Sequence, residues 1–436
     1  MMKFRLSTLI LGLVALSAEL LAEVQVLTWE TKKGSKVNFV RAAEIPMVDI
    51  RVVFAAGSVR DGSKHGLAKV VNRLLLEGAG ELQASDYKDK LAMTGAELYA
   101  DSLREMAFIS LRTLKSEEYY NKSLELFALA FTKPHFNSLE MKRVVEEMQL
   151  ELTLKEQSLG AVADESLWDS IYKDHPYGHS PLGNKESLES LRREDLLAFF
   201  STYYVNQNAV ISIVGDLEKA EAIKLAETLS EEMPQGKRPS PIPDVTIPKG
   251  LTTIIDKQSK QTHIRLGQVG ISRSEPDYFP LLVGNHALGG NSLVSVLFQE
   301  IREKRGLSYS TYSYFVPMEK RGPFVVGMQT ENEKKDEALN VLREQLTEFL
   351  RNGPSDADLE LAKANLIKGF PNRIDSNQKI LGYLSMIGFY GLPSDYLSTF
   401  PEKIKKVEKS DVLTAFKEKM PLDFLTVVVG EMSSSD

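Results

Sequence analysis

The chain has 436 residues, of which 43% are hydrophobic and 26% charged, and its formal net charge is −7. This length exceeds what one hydrophobic core ordinarily supports and predicts two or more domains. The acidic balance, without a dense basic run, argues against a nucleic-acid or anionic-membrane partner. The sequence contains no cysteine, which excludes disulfides, thiolate metal sites and cysteine nucleophiles.

Residues 1–22 are typical of a secretory signal peptide. Two basic residues precede a mostly apolar stretch over 6–18, and Ala22 offers a small residue at the cleavage site. The apolar stretch is short for a membrane span and Glu19 follows it, so cleavage is favoured over retention as an anchor. No later segment has 18 consecutive apolar residues. We therefore expect an exported chain without a membrane partner after cleavage, and the missing cysteines fit the bacterial periplasm.

Strands and helices mix irregularly through the first half of the chain. Runs of apolar and β-branched residues predict strands over 37–40, 47–55, 97–100, 106–114 and 209–214. Helical periodicity predicts helices over 65–80, 85–93, 117–131, 139–156, 162–172, 185–204 and 217–233. The helix-rich central segment favours α+β layers over a regular alternation of strand and helix.

A proline-rich segment follows this half. Residues 234–250 hold five of the chain's 18 prolines, and a polar segment of this composition resists helix and sheet and acts as a semi-rigid linker. The sequence therefore predicts an N-terminal domain over 23–233 and a C-terminal domain over 251–436.

The second half repeats short motifs of the first. The pair Ile50-Arg51 recurs as Ile264-Arg265, 214 residues later, and ISIVGD at 211–216 recurs as TVVVGE 215 residues later. Two nearly equal offsets at opposite ends of the unit indicate a duplicated domain. We expect two homologous α+β domains, each a mixed β-sheet with helices packed on it.

The stretch His65 to Gly80 is predicted to be an amphipathic helix with a distinctive polar face. On this face Lys69, Asn72 and Arg73 stand at i, i+3 and i+4, so their side chains are neighbours. A metal-binding helix would carry two histidines and a glutamate at such a spacing. The opposite, apolar stripe of the helix comprises Leu67, Val70, Val71, Leu74 and Leu75.

Four segments of the chain carry a resemblance to a known family: GSVRDGSKHGLAKVVNRLLLEGAG at 57–80, HPYGHSPLGNKESL at 175–188, VGDL at 214–217 and LGGNSLVSVLFQEIREKRGLSYSTYS at 288–313. From about residue 24 onward the chain resembles the pitrilysin family of zinc metallopeptidases, the inverzincins, and particularly the short bacterial members similar to subunits of mitochondrial processing peptidase. The resemblance implies a duplicated fold and a His-x-x-Glu-His helix that binds zinc, whose glutamate takes a proton from metal-bound water.

The catalytic positions depart from the family pattern. Lys69 stands for the first histidine, Asn72 for the general base and Arg73 for the second histidine. The resemblance places a third ligand, a glutamate, on a later helix, where Glu151 matches best and Glu147 is the alternative. Lysine and arginine are poor ligands at neutral pH and repel a cation. The sequence therefore predicts no metal in this chain and a salt-bridged or solvated face.

The histidines do not replace the lost ligands. His175 and His179 have His-x3-His spacing, but Pro176 and Gly178 between them prevent a helical presentation. The remaining histidines are isolated in sequence and are expected to be structural or on the surface: His65, His135, His263 and His286.

The substrate-binding residues implied by the resemblance are retained in the second half. The family pairs its zinc half with an arginine and a tyrosine seven residues apart, and Arg302 and Tyr309 match. An arginine fork can hold a peptide carbonyl or a carboxylate, and a phenol can donate to an oxyanion. Arg305 is the competing arginine, and only its spacing to Tyr309 argues against it. A second family element, an edge strand to which peptides add, falls within 95–111, where Tyr99 replaces a frequent asparagine.

These observations predict a catalytically degenerate peptidase homologue that pairs with an intact His-x-x-Glu-His subunit. The partner would supply zinc and the base, and this chain would supply Arg302 and Tyr309 for proteolysis of short or extended peptides. Retention of one half of the machinery favours this reading, because independent drift would erase both halves alike. The sequence leaves open a homodimer, a stand-alone zinc endopeptidase with an unconventional site, and a purely structural or binding subunit.

Overall fold

The structure, a computed structural model, describes residues 25–431. The predicted signal peptide, 1–22, lies outside these residues. In the part that is described, the chain forms two mixed β-sheets, each with helices on both faces. Between residues 25 and 431 no helix is long and apolar enough to cross a membrane.

The first half contributes six strands and eight α-helices to the described structure. The strands are β1 (Leu27–Glu30), β2 (Lys36–Arg41), β3 (Met47–Phe54), β4 (Glu97–Ser102), β5 (Ala107–Leu114) and β6 (Ala209–Gly215). The helices are α1 (Leu67–Leu74), α2 (Ala84–Thr94), α3 (Tyr120–Thr132), α4 (Ser138–Glu156), α5 (Leu159–Tyr172), α6 (Lys185–Ser190), α7 (Arg193–Tyr203) and α8 (Lys219–Glu232). The spatial order of the strands is β1-β2-β6-β3-β5-β4.

The second half contributes five strands and six α-helices to the described structure. The strands are β7 (Thr252–Asp256), β8 (Gln261–Val269), β9 (Ser310–Phe315), β10 (Pro323–Glu331) and β11 (Leu425–Gly430). The helices are α9 (Tyr278–Asn285), α10 (Lys335–Asn352), α11 (Asp356–Lys368), α12 (Asn377–Tyr390), α13 (Tyr396–Lys405) and α14 (Lys409–Lys419). Two π-helical segments, His286–Gly290 and Phe298–Glu303, lie between α9 and β9. The strand order is β7-β11-β8-β10-β9.

The two sheets are copies of one arrangement. The order β7-β11-β8-β10-β9 reproduces β2-β6-β3-β5-β4, and in both the first pair is parallel while the others are antiparallel. The register agrees residue by residue, since Arg51 pairs with Ser212 and Arg265 pairs with Val427. The predicted fold class, two homologous α+β domains, is confirmed.

The proline-rich segment contains no helix or strand. Residues 234–251 are irregular throughout, and contacts along their length attach them to both halves. His175 Nε2 lies 3.0 Å from the carbonyl oxygen of Pro243, and Lys320 Nζ donates to Asp244 at 2.6 Å. Each sheet takes its strands from one side of this segment, and we retain the division at 234–250 as a proposal.

Each sheet is covered on one face by helices of its own half and on the other by a helix of the opposite half. Helix α5 packs on β8 and β11, where Leu167 and Ile171 meet Val427 and Val429 in a buried cluster. Helix α12 packs on β3 and β6, burying Leu381 and Leu384 against the first sheet. Burying side chains of this size stabilises by roughly 1.5–3 kcal/mol each relative to exposure. The exchange of α5 and α12 therefore ties the halves into one unit.

Two predicted helices are corrected by the structure, and one strand was missed. The helix predicted over 65–80 is only α1, since Leu75 N already bonds to Asn72 O and the chain then turns at Gly78 with φ +100°. The helix predicted over 185–204 is two helices, α6 and α7. The break follows from Leu191, whose backbone is extended, and from Asp195, which accepts from the Arg192 N–H at 2.9 Å. Strand β1 was not predicted from the sequence.

A buried carboxylate joins the two halves beside the exchanged helices. Glu105, in the turn between β4 and β5, is only 3% exposed. It accepts hydrogen bonds from the Tyr177 hydroxyl, from the Tyr390 hydroxyl at 2.7 Å and from the Glu319 backbone N–H at 2.9 Å. Burial raises the pKa of the Glu105 carboxyl, and these three donors oppose the rise. Both oxygens are thus fully engaged across the boundary between the halves.

Replacing Glu105 is expected to destabilise the whole chain. Glu105→Ala leaves two buried phenols without their acceptor and should lower the free energy of unfolding by about 3–5 kcal/mol. Glu105→Gln keeps one acceptor oxygen and should cost less, about 1–2 kcal/mol. Urea denaturation of both variants, with Tyr390→Phe to remove a single donor, measures these differences. An alanine variant as stable as the wild type would show that this contact does not join the halves.

Candidate functional site

Helix α1 is placed by a buried aspartate at its start. Asp61 accepts hydrogen bonds from the backbone N–H groups of Gly66 and Ala68, both at 2.8 Å. A carboxylate at this end of a helix is favoured by the helix dipole. Burial raises the pKa of Asp61, and His179, whose Nε2 lies 3.3 Å away, opposes the rise. Gly66 has φ +95°, and a Cβ there would lie 2.8 Å from the Leu188 side chain.

The polar face of α1 carries two ion pairs. Lys69 Nζ donates to Asp101 Oδ1 at 2.6 Å and to the carbonyl oxygen of Ser102 at 2.9 Å. Arg73 donates to Glu151 Oε2 at 2.7 Å. The Lys69 and Asp101 side chains are 13% and 25% exposed, so this pair is the better shielded of the two. Of the predicted alternatives, a salt-bridged or a solvated face, Lys69 and Arg73 show the first, whereas Asn72, expected beside them, is buried.

Asn72 points into the protein rather than toward this face. Its side chain is fully buried, and Nδ2 donates to the Phe108 carbonyl at 3.2 Å and lies 3.4 Å from the Tyr204 hydroxyl. Its Oδ1 is buried without a hydrogen-bond partner. An amide at this position is therefore only partly satisfied, and a charged carboxylate would face the Phe108 carbonyl oxygen at close range.

The long helix α4 presents only one of the two candidate glutamates to α1. Glu151 meets Arg73, as described above. Glu147 is bound to Arg143 at 2.5 Å, and Arg143 also contacts Glu77 at 2.8 Å. The contact with Arg73 supports Glu151 as the counterpart of the family's third ligand, and we retain that assignment as a proposal.

The side chains at this site do not fit a metal ion. Lys69 and Arg73 are cationic and would repel a metal ion, and each is already paired with a nearby carboxylate. Across residues 25–431 no group of three or more histidine, aspartate and glutamate side chains is arranged to hold a metal. No chemical step of this chain can therefore be routed through zinc held at these residues.

The histidines take part in local contacts. His65 stacks on His179 with ring centroids 4.1 Å apart, and burial and the neighbouring His179 lower the pKa of His65. His135 Nε2 lies 2.6 Å from the Gly80 carbonyl oxygen. His175 contacts Pro243 in the proline-rich segment, whereas His179 contacts Asp61 and His65. The two histidines therefore have different partners and do not form one site.

Arg302 and Tyr309 form a contact of their own in the second half. The Arg302 guanidinium lies 4.3 Å from the centre of the Tyr309 ring and 4.9 Å from that of Phe298. Tyr309 is 81% exposed and directly precedes β9. Arg302 forms no ion pair with any residue in 25–431. The competing Arg305 instead binds Glu300 at 2.7 Å, so of the two arginines Arg302 is the one available to a ligand.

The edge strand of each sheet lies close to a candidate site residue, β4 to Lys69 and β9 to Tyr309. Strand β4 is the end strand of the first sheet and carries Asp101, the partner of Lys69. Strand β9 is the end strand of the second sheet and follows Tyr309. Tyr99 on β4 is 57% exposed, and its pKa is raised by burial and by Asp101 and lowered by Arg51 and Arg73. An end strand offers backbone groups to an extended peptide.

The contribution of Asp101 could not be found from the sequence. It stands 32 residues from Lys69, and only the position of β4 at the sheet edge brings its carboxylate beside α1. The alternation of β4 offers a weak signal, since Tyr99 and Asp101 share a face of the strand. Nothing in the sequence distinguishes Asp101 from other exposed acidic residues.

Comparisons with known proteins agree with this fold. The family description "Insulinase (Peptidase family M16)" matches residues 36–185, and "Peptidase M16 inactive domain" matches residues 190–366. A crystal structure of a peptidase M16 inactive domain from Pseudomonas fluorescens is 34% identical in sequence. It covers 95% of this chain and 99% of its own, with a TM-score of 0.91.

Curated relatives carry two kinds of name. The "Non-peptidase homolog YmxG" of Helicobacter pylori is 25% identical over 397 residues, 90% of each chain. The "Uncharacterized zinc protease YmxG" of Bacillus subtilis is 24% identical over 323 residues, 73% of this chain and 78% of its own. This chain is thus similar both to a protein named as a non-peptidase and to one named as a zinc protease.

Restoring the family's base at position 72 is expected to destabilise this protein. Asn72→Glu and Asn72→Gln introduce side chains of nearly equal size, so their difference isolates the charge. A buried carboxylate without a partner should make the glutamate variant about 2–4 kcal/mol less stable than the glutamine variant near pH 8. Burial would raise the folded-state pKa of the introduced carboxyl above its unfolded value, so the deficit should grow as pH rises.

Urea denaturation of the two Asn72 variants between about pH 5 and pH 8 measures this difference. Equal stability of the two variants at both pH values would mean that this buried position accepts the family's base without further change.

Proposed function

This chain belongs to the insulinase family, peptidase family M16, as an inactive homologue, and we propose that it is the non-catalytic subunit of a two-chain zinc peptidase. In this proposal a partner of the same family carries the intact His-x-x-Glu-His helix. This chain contributes Arg302 and Tyr309 and half of the enclosure around a peptide. The complex hydrolyses short or extended peptides, and this chain alone does not.

The contrast between the two candidate sites carries the proposal. On α1 the cations Lys69 and Arg73 are each paired with a carboxylate of the same chain. In the second half, Arg302 has no acidic partner among residues 25–431 and lies against an exposed tyrosine. The first set of side chains is internally satisfied, whereas the second is arranged to meet something outside the chain. A substrate-binding subunit needs the second set and not the first.

The chemistry of the Arg302 and Tyr309 pair suits a peptide. A guanidinium offers a fork of N–H donors to a peptide carbonyl or carboxylate. A phenol can donate to the oxygen that gains charge when a peptide carbonyl is attacked. Stacking of Arg302 on Tyr309 holds both groups on one surface at low conformational cost. The partner's zinc supplies the activated water, and this chain orients the peptide and stabilises charge.

The enclosure is expected to involve both end strands. Peptides bind sheet edges by adding a strand, which uses the backbone groups of the edge. Strands β4 and β9 lie at the ends of their sheets, next to α1 and to Tyr309 respectively. This placement supports an extended segment as the substrate rather than a compact domain.

Two rivals predict different behaviour in solution. A stand-alone zinc peptidase would bind metal at a site other than the α1 face, where the donor set does not fit. A purely structural subunit would raise partner activity without using Arg302 or Tyr309.

The activity of the complex should depend on Arg302 and Tyr309. With an intact M16 partner, Arg302→Ala and Tyr309→Phe are each expected to lower kcat/KM on an extended peptide by about 100- to 1000-fold, the range for loss of one donor to the transition state. Arg305→Ala, a matched control bound to Glu300, should change activity little. The assay uses each chain alone and both together, with zinc analysis of every sample.

Three results would overturn this proposal. Stoichiometric zinc and peptide cleavage by this chain alone would establish the stand-alone peptidase. Activation of the partner that is unchanged in both Arg302→Ala and Tyr309→Phe would favour the structural subunit. A stable complex of two copies of this chain, in preference to the partner, would favour the homodimer.

We further propose that the chain acts in the periplasm after cleavage behind Ala22. Expression of the full chain in a Gram-negative bacterium should yield a periplasmic protein whose N-terminus is Glu23. Replacing both Lys3 and Arg5 by acidic residues should block export, because a signal peptide needs a positively charged N-terminal region. Fractionation and N-terminal sequencing test this, and an unprocessed protein in the cytoplasm would contradict it.

A further inference from the structure

We call the face of each sheet that is covered by a helix of the opposite half, α12 on the first sheet and α5 on the second, its inner face. The two sheets carry an arginine and a tyrosine at equivalent positions on these inner faces. In the first sheet Arg51 on β3 pairs with Ser110 on β5, which pairs with Tyr99 on β4. In the second sheet Arg265 on β8 pairs with Gly327 on β10, which pairs with Tyr312 on β9. Cross-strand neighbours of this kind share one face of the sheet. Each inner face therefore has an arginine two strands from an edge tyrosine.

The arginine of the second sheet is neutralised within the chain. Asp164 on the exchanged helix α5 accepts from Arg265 Nε at 2.6 Å. Arg265 Nη1 donates to the Ile264 carbonyl at 3.2 Å, and its guanidinium lies 5.6 Å from the Tyr312 ring centre. This cation is buried and is paired with a carboxylate of the same chain.

The corresponding arginine of the first sheet lacks an acidic partner. Arg51 Nε donates to the Ser110 hydroxyl at 2.7 Å, and the guanidinium lies 4.4 Å from the Phe108 ring centre. No carboxylate of residues 25–431 forms an ion pair with Arg51. Asp49, on the same strand, is held by Arg112 at 2.7 Å. Both Nη groups of Arg51 are thus left without a hydrogen-bond acceptor from the described chain.

The reason for the difference is one position on the exchanged helix. Helices α5 and α12 begin at equivalent N-caps, Ser158 and Ser376, whose hydroxyls accept from the residue three positions on. Asp164 lies six residues after Ser158 on α5. The residue six positions after Ser376 on α12 is Gly382. A Cβ placed on Gly382 would meet no atom within 4 Å. Where α5 offers a carboxylate to the sheet, α12 offers open space.

The packing around the two helices supports this correspondence. On α5, Leu167 and Ile171 lie against Gly267 of β8. On α12, the residue equivalent to Ile171 is Phe389, which packs in a cluster with Val53, the equivalent of Gly267. The two helices therefore sit on their sheets in the same register, with Gly382 at the place that Asp164 takes in the other half.

We infer that Arg51 and Tyr99 form a subsite for a carboxylate of a bound peptide, in the space that α12 leaves open at Gly382. This inference rests on the proposed role of the chain as a peptide-binding subunit and names the class of peptide, an acidic one. The Arg51 fork suits both oxygens of a carboxylate. Tyr99, on the edge strand where an extended peptide would add, places the phenol beside the same ligand.

The location also fits a peptide that passes the α1 face. Asp101, two residues from Tyr99 on β4, binds Lys69. Burial and Asp101 raise the pKa of Tyr99, and the charges of Arg51 and Arg73 oppose this rise, so both guanidinium groups act on the phenol. A peptide added to β4 would therefore meet Arg51 through a side chain directed to the inner face of the sheet.

Direct binding to the purified chain tests the subsite without requiring activity. The probes are fluorescently labelled peptides of ten residues with an amidated C-terminus and an otherwise uncharged sequence that favours an extended conformation. Each peptide carries a single Glu, placed at each position in turn, and its matched control carries Gln at the same position. One Glu position should bind about 10- to 100-fold more tightly than its Gln control, the range for a charged hydrogen-bonded contact. A Gln peptide with a free C-terminus separates recognition of a terminal carboxylate from that of a side chain.

Two substitutions should remove this preference by different routes. Arg51→Gln removes the cation, and Gly382→Asp supplies the internal carboxylate that Asp164 supplies in the second half. Both should bring Glu and Gln peptides to equal affinity, while Gly382→Ala should keep the full preference. Open space at Gly382 and the helical backbone there allow both Gly382 variants to fold, and thermal unfolding checks this.

The outcomes distinguish failure of the carboxylate subsite from failure of the proposed peptide-binding role on which it rests. If Gln and Glu peptides bind equally to the wild type, the chain binds peptides but the carboxylate subsite is wrong. If the Glu preference survives in both Arg51→Gln and Gly382→Asp, another cation recognises the carboxylate and the inference is overturned. If no peptide binds to the chain alone or to its complex with the partner, the peptide-binding role itself fails.

Discussion

Neither sheet of this protein can bury its inner face with helices of its own half. The apolar residues of β8 and β11 need α5, and those of β3 and β6 need α12. Because apolar burial is the main favourable term in folding, this exchange fixes how the halves are placed relative to each other. The buried Glu105, with donors from both halves, adds a directional contact to that arrangement. The end strands β4 and β9 are held in place as a consequence.

This arrangement explains how the metal-binding residues can be absent while the helix that would carry them remains. The apolar stripe of α1 is buried whatever stands on its polar face, and Asp61 still binds the first N–H groups of the helix. The charges of Lys69 and Arg73 are compensated by Asp101 and Glu151. A partly buried lysine without such a partner would be costly. Two of the three departures from the family pattern, Lys69 and Arg73, are thus compensated by their neighbours, whereas the Oδ1 of the third, Asn72, is buried without a hydrogen-bond partner.

Much of the fold followed from sequence patterns of short range. Alternation of β-branched residues predicted β3, an apolar run predicted β5, and equal offsets between repeated motifs predicted two homologous domains. What periodicity could not predict is which half covers which sheet, because an amphipathic helix such as α5 fits any apolar face. Helix ends were also missed where a hydrogen bond to a side chain decides them, as Asp195 does before α7.

In the candidate site, too, the local features could be predicted from the sequence and the long-range contacts could not. Lys69, Asn72 and Arg73 could be singled out because spacing on a helix is a local property. Their partners could not, since Asp101 and Glu151 reach them only through the sheet edge and the packing of α4. The contrast between Arg302 and Arg305 likewise depends on Glu300, whose side chain reaches one arginine and leaves the other. Partners across long sequence distances require the folded chain.

The duplication gives each half an internal reference, and the differences between the copies are more informative than either copy alone. Arg265 shows what a satisfied arginine requires at this position in the fold: a carboxylate from the exchanged helix. Arg51 occupies the same place and lacks it, and burial lowers its pKa, which records the cost of that environment for the charged form. A cation kept in such a place is stabilised when a ligand brings a carboxylate. Arg302 likewise has no ion-pair partner within residues 25–431, and in the proposed complex the bound peptide supplies the missing acceptor at both arginines.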